Sequence, residues 1–113
     1  MTVLLLDDER SFIDDREHIL ARTVEEAIEA TETLTEIDEL WLDYILRRGD
    51  TLPFLKYLRK RKDEGNPVKV NTLFFHSSSN SAIELVQIYA EEAGIPESDF
   101  VLVDGFKRAK ILK

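Results

Sequence analysis

The chain of 113 residues has the size of one ordinary domain, and its 43% hydrophobic content argues against a disordered chain. It has no cysteine, which excludes disulfides and thiolate metal sites, and no apolar run near the ~18 residues that a bilayer span needs. The net charge of −8 is lopsided: residues 1–50 carry 15 acids and 5 bases while residues 51–113 carry 8 and 10, so the front half disfavours nucleic acid; it would suit a divalent cation, but charge alone reads more simply as solubility.

Met1 to Leu6 is a continuous apolar run that stops at Asp7-Asp8. The lack of alternation predicts a strand buried on both faces, as in the middle of a parallel sheet. The run has no basic flank, so no secretory signal is expected and a cytoplasmic location is. Residues 9–17 are polar around Phe12 and Ile13 and allow only a short helix. His18 to Ala21 is a second, weaker strand candidate. Thr23-Val24-Glu25-Glu26 then has the capping-box pattern, in which Glu26 reaches back to the Thr23 N–H. It opens a helix with Val24, Ala27, Ile28 and Leu34 near one face.

Leu40-Trp41-Leu42 is a further strand and ends at Asp43, with Trp41 expected in the core. A loop, Arg47 to Asp50, leads to a helix that starts at Asp50 or Thr51 and tolerates Pro53 in its first turn. Leu52, Leu55 and Leu58 form its buried face. The basic stretch Lys56 to Lys62 reads as a solvated helix end that complements the dipole, and Gly65 and Pro67 mark the stop. Val70 to Phe75 is a strand that runs into His76-Ser77-Ser78-Ser79-Asn80. Ser81-Ala82-Ile83-Glu84 reads as a second capping box, followed by a stripe of Ile83, Val86 and Tyr89 or Ala90 and by Gly94 as the C′ residue. Phe100 to Val103 is the last strand, and the basic tail from Phe106 to Lys113 is too short for a long helix. Such alternation predicts a parallel sheet with right-handed crossovers in a single domain, residues 1–113.

Ligands of open parallel sheets bind beyond the carboxyl ends of the strands. Asp7 and Asp8 stand at the first such end, Asp43 at the third, His76 and Ser77 at the fourth, and Asp104 and Lys107 past the last. Three converging carboxylates repel one another unless a cation neutralises them, and Mg²⁺ favours such oxygens together with phosphate. A hydroxyl and a lysine nearby suit phosphate oxygens.

In this order, L-L-L-D-D-E-R, A-R-T-V-E-E-A-I, L-W-L-D and F-F-H-S-S resemble the receiver domains of two-component response regulators over residues 1–106. The sequence is most similar to a variant group, the cyclic-phosphate-processing receiver-like family. The features shared are Asp7-Asp8-Glu9-Arg10, the short gap before His18, Gly49, and His76-Ser77 followed by Asn80. The resemblance implies a three-layer α/β sandwich with a five-stranded parallel sheet in the order 2-1-3-4-5, a short first helix and a missing or minimal last helix. It implies Mg²⁺ on Asp7, Asp8, Asp43 and the Ile45 carbonyl. It assigns chemistry to Asp43, His76 and Ser77, and phosphate contacts to Arg10, Ser77 and Lys107. The partner implied is a phosphate-containing small molecule, cyclic or nucleotide-derived, or a phosphodonor, with a bacterial or phage source. Three departures stand out: Asp104-Gly105-Phe106 where receivers carry K-P-F, Tyr44-Ile45 after the third-strand aspartate, and the missing last helix. They keep a second reading open, a non-enzymatic signalling or protein-interaction module, with or without phosphorylation of Asp43.

Overall fold

The computed structural model describes residues 1–113. Its strands are β1 (Val3–Leu6), β2 (Ile19–Ala21), β3 (Glu36–Asp43), β4 (Ile45–Leu46), β5 (Gly49–Asp50), β6 (Lys69–His76) and β7 (Phe100–Leu102). Its helices are α1 (Val24–Thr31), α2 (Leu52–Asp63), α3 (Asn80–Glu92) and α4 (Gly105–Arg108). Five strands form one parallel sheet in the order β2-β1-β3-β6-β7. With the β4–β5 hairpin set aside, this is the expected 2-1-3-4-5 order. No helix is long and apolar enough to cross a membrane.

All four residues of β1 are buried, as an unalternating run requires of a central strand. Leu4 and Leu6 face one side with Leu40, Leu42, Leu73 and Phe75. Ala27 of α1, Phe54, Leu55 and Leu58 of α2, and Val86 and Ala90 of α3 cover that side. Each fully buried leucine or phenylalanine there contributes roughly 1.5–3 kcal/mol. On the opposite side Val3, Leu5 and Trp41 meet Phe12 and Leu112. Trp41 stacks on Phe74 at 4.2 Å between centroids and takes Phe12 edge-on at 5.3 Å.

That second side is thin, and it corrects one detail of the sequence reading. No short helix joins β1 to β2. Phe12 is buried but Ile13 is exposed, so residues 9–17 offer no apolar stripe for a helix to bury. Their backbone groups pair instead with the C-terminal tail. Ser11 and Lys113 exchange N–H···O bonds of 3.1 and 2.9 Å, and Ile13 N–H donates to the Ile111 carbonyl at 2.9 Å. The last helix is a single turn, α4, in line with expectation.

Local signals hold with small shifts. Thr23 Oγ1 accepts from the Glu26 N–H at 3.1 Å, while Glu26 reaches back to the Arg22 N–H at 2.7 Å rather than to that of Thr23. Helix α3 is capped by Ser79, whose Oγ accepts from the Ala82 N–H at 3.3 Å, two residues before the expected start. Starting there sets Ala82, Val86 and Ala90 against the sheet. Arg61 departs most. It lies inside the basic stretch read as solvated, yet it is buried. Its guanidinium donates to the carbonyls of Thr31, Leu34 and Asn66 and to the Tyr57 hydroxyl. It ties α2 to the segment between α1 and β3 with no carboxylate as partner.

Candidate metal and phosphate site

The parallel register sets the site. Leu6 pairs with Leu42, so Asp7 and Asp43 follow at the same level of adjacent strands, and Asp43 itself pairs with His76. Asp7, Asp43 and His76 therefore stand side by side along three strand ends, with Asp8 next in the chain. One carboxylate oxygen from each of Asp7, Asp8 and Asp43 lies within 4.8 Å of the others. An all-oxygen set at this spacing fits a hard divalent cation that keeps part of its water shell.

Asp7 is buried, and its Oδ1 accepts from the N–H groups of Glu9 at 2.9 Å and Arg10 at 2.8 Å. These bonds fold the loop after β1 around the carboxylate. Asp43 Oδ1 accepts from the Tyr44 N–H at 2.9 Å. The second oxygens of both acids face Arg10, whose Nη1 is 3.4 Å from Asp43 Oδ2 and 3.7 Å from Asp7 Oδ2. Burial, and then the neighbouring charge of Asp7, push the Asp43 carboxyl above its ordinary pKa, while Arg10 and the Tyr44 N–H pull the other way. The arginine compensates the acids only in part, which is the condition under which an added cation gains most.

Arg22 fixes the loop from outside. Its Nη1 donates to the Arg10 carbonyl at 2.7 Å and the Asp7 carbonyl at 3.3 Å, and its Nη2 to Ser11 Oγ at 3.1 Å. Two hollows share Asp43. One is an open cleft of about 360 Å³ that also takes in Asp8, Arg10, Ile45 and Arg47. The other is a narrow cavity of about 10 Å³, room for one water-sized group, whose polar lining is Asp7, Asp43, His76 and Arg108.

The other expected residues fall unevenly. Ile45 lies in the hairpin strand β4, paired with Asp50, and lines the open cleft. His76 Nδ1 is 2.9 Å from the Val103 carbonyl. A carbonyl only accepts, so this contact puts a proton on Nδ1, and in the neutral ring the lone pair is then on Nε2. Ser77 Oγ accepts from the Ser79 N–H at 3.1 Å, a turn that feeds the cap of α3, and it lines neither hollow. Lys107 is exposed on α4 and also lines neither. Asp104 caps α4, its Oδ1 accepting from the Lys107 N–H at 2.8 Å, which accounts for an acid at the position where receivers carry lysine. Sequence reasoning missed Arg108 and Arg22. Arg108 carried no local signal, being one base of a basic tail. Arg22 stood directly before a capping residue, the one hint that it sits at a strand end.

No curated protein and no solved structure matches the chain. A family model described as the cyclic-phosphate processing receiver domain matches residues 2–92, and the chain belongs to that family.

Proposed function

We propose that this member of the cyclic-phosphate processing receiver family binds Mg²⁺ through Asp7, Asp8 and Asp43 and acts there on a cyclic or nucleotide-derived phosphate. The observation that carries this reading is the gathering of three carboxylate oxygens within 4.8 Å at the ends of two adjacent strands. Like charges held this close cost free energy in a fold that has no use for them. Ile45 lines the same open cleft as Asp43, and its backbone carbonyl would be a further oxygen ligand. When bound, the ion would neutralise charge on the phosphoryl oxygens and orient the ester.

The chain's own groups supply the rest. Arg10, now against Asp43 and Asp7, has the planar fork that suits phosphate oxygens. His76 holds one proton on Nδ1 against Val103 and leaves Nε2 to take a proton from an attacking water or hydroxyl. Hydrolysis of a cyclic phosphodiester adds that water to phosphorus, breaks one ring P–O ester bond and gives the freed alkoxide a proton, so the product is a monoester. Asp43 serves as metal ligand, or as nucleophile with an aspartyl phosphate hydrolysed in a second step. Ser77, one residue past His76, keeps its hydroxyl proton available, since its oxygen is the acceptor in its turn.

The test is a Mg²⁺ titration followed by amide shifts, in wild type and Asp43→Asn, with and without a phosphoryl mimic. The proposal predicts shifts at residues 7–10, 43–46 and 76–78 that weaken strongly in the variant. A panel of cyclic phosphates and acetyl phosphate then separates turnover from phospho-acceptance. Absence of any Mg²⁺-dependent shift at those residues would sink the reading.

A further inference from the structure

Two side-chain atoms are buried without a hydrogen-bond partner, Thr51 Oγ1 and Arg108 Nε. Thr51 belongs to the start of α2. Arg108 is different, because it lines the narrow cavity with Asp7, Asp43 and His76. The ion pairs of both aspartates run to Arg10 and not to Arg108. An N–H buried beside an acidic site and left unbonded is a donor that awaits an acceptor.

The fold places this arginine with care. Asp104 caps α4, and the Arg108 carbonyl accepts from the N–H groups of Ile111 at 2.9 Å and Leu112 at 2.8 Å. Leu112 forms a bridge with Phe12 in the segment that follows the acid pair. The tail is thus fastened at both ends of the turn that carries Arg108. Gly105 lets α4 approach the histidine: a Cβ built there would lie 3.4 Å from His76 Cε1. Arg108 lies beyond residues 2–92, the part of this chain that the family model matches.

We propose that Arg108 is the second cation of the phosphate site, donating from its guanidinium, Nε included, to a non-bridging phosphoryl oxygen seated in the cavity it shares with Asp7, Asp43 and His76. It does for this chain what Lys107, exposed and away from both hollows, is not placed to do. Arg10 and Arg108 then approach one phosphoryl group from two hollows that have Asp43 in common among their lining residues. This rests on the phosphate reading of the site.

The experiment uses the full chain with saturating Mg²⁺ and inorganic phosphate as the probe. In wild type, the Arg108 Nε–H resonance is expected to shift downfield as phosphate is added. Arg108→Gln should leave the Mg²⁺ dissociation constant unchanged and weaken phosphate binding by roughly 10- to 100-fold, the range of a charge-assisted hydrogen bond. Arg108→Lys should recover part of that loss. Phosphate affinity equal in wild type and Arg108→Gln, with a still Nε–H resonance, overturns the proposal and leaves the phosphate reading intact. A change in thermal stability with equal phosphate affinity marks a purely structural arginine and also overturns it. Wild type that binds Mg²⁺ but no phosphate removes both readings together.

Discussion

Arg10 Nη1 lies 3.4 Å from Asp43 Oδ2, the carboxylate oxygen that the Tyr44 N–H, bonded to Oδ1, leaves free. The arginine is a built-in counter-charge for the acid cluster, and an ion bound there as proposed would compete with it for the same oxygens. Arg10→Gln is therefore expected to tighten Mg²⁺ binding by about two- to fivefold, the scale of a partly exposed ion pair, while weakening phosphate binding. Calorimetric titration of both ligands checks this. An arginine that assists the metal would show the opposite sign for Mg²⁺.

The raised pKa of Asp43 has a definite consequence for stability. A carboxyl whose folded pKa exceeds its unfolded value binds protons more tightly in the folded chain. Its contribution therefore favours folding at low pH and declines as pH rises from about 3.9, the unfolded value, through the folded one. Asp43→Asn removes that penalty and can still accept from the Tyr44 N–H. The metal-free variant is expected to melt at a higher temperature than wild type at pH 7, and at about the same temperature below pH 3. Thermal melts in chelator across that range are the measurement. The same raised pKa predicts that Mg²⁺ affinity falls as pH drops through it.

Arg61 gives a prediction remote from the site. Its buried guanidinium satisfies three carbonyls and a tyrosine hydroxyl. Arg61→Ala leaves those acceptors without their donor and is expected to cost about 3 kcal/mol of unfolding free energy. Chemical denaturation reads this loss, and Mg²⁺ affinity of the folded fraction should not change.

Gly105→Ala tests the contact between α4 and His76. The added methyl would stand 3.4 Å from His76 Cε1, at the tight edge of van der Waals contact, so the ring has little room to keep its place unchanged. The expected result is a shift of the His76 ring resonances and reduced turnover of any cyclic phosphate, with less than about 1.5 kcal/mol lost in stability. Ring resonances identical to wild type would show that the glycine is not needed for this approach.

The sheet was legible because each central strand is an apolar run stopped by a polar residue, Leu6 before Asp7, Leu42 before Asp43 and Phe75 before His76. Burial on both faces writes itself into sequence as such a run, and the alternation with helices fixes a parallel arrangement. The gathering of Asp7, Asp8 and Asp43 followed from it. Features that depend on distant partners were not legible. The extended path of residues 9–17 is set by pairing with Ile111 to Lys113, about 100 residues along the chain. Arg61 looks like its basic neighbours, and only the carbonyls of Thr31 and Leu34 distinguish it. Arg47-Arg48 read as loop and proved to be the turn of a hairpin, with Gly49 at φ +98°. A serine-rich run offers several caps, and packing of Ala82 and Val86 selected Ser79.

Arg22 holds the carbonyls of Asp7 and Arg10 and the hydroxyl of Ser11 at once. The loop that presents the acid pair is thereby held from outside, so ion binding as proposed would need no ordering of backbone first. It would need only a side-chain swing of the half-exposed Arg10, a rotamer change that is fast beside backbone rearrangement. Association of an ion should accordingly appear as one rapid kinetic phase, its speed governed by how quickly the cation sheds water and not by the protein.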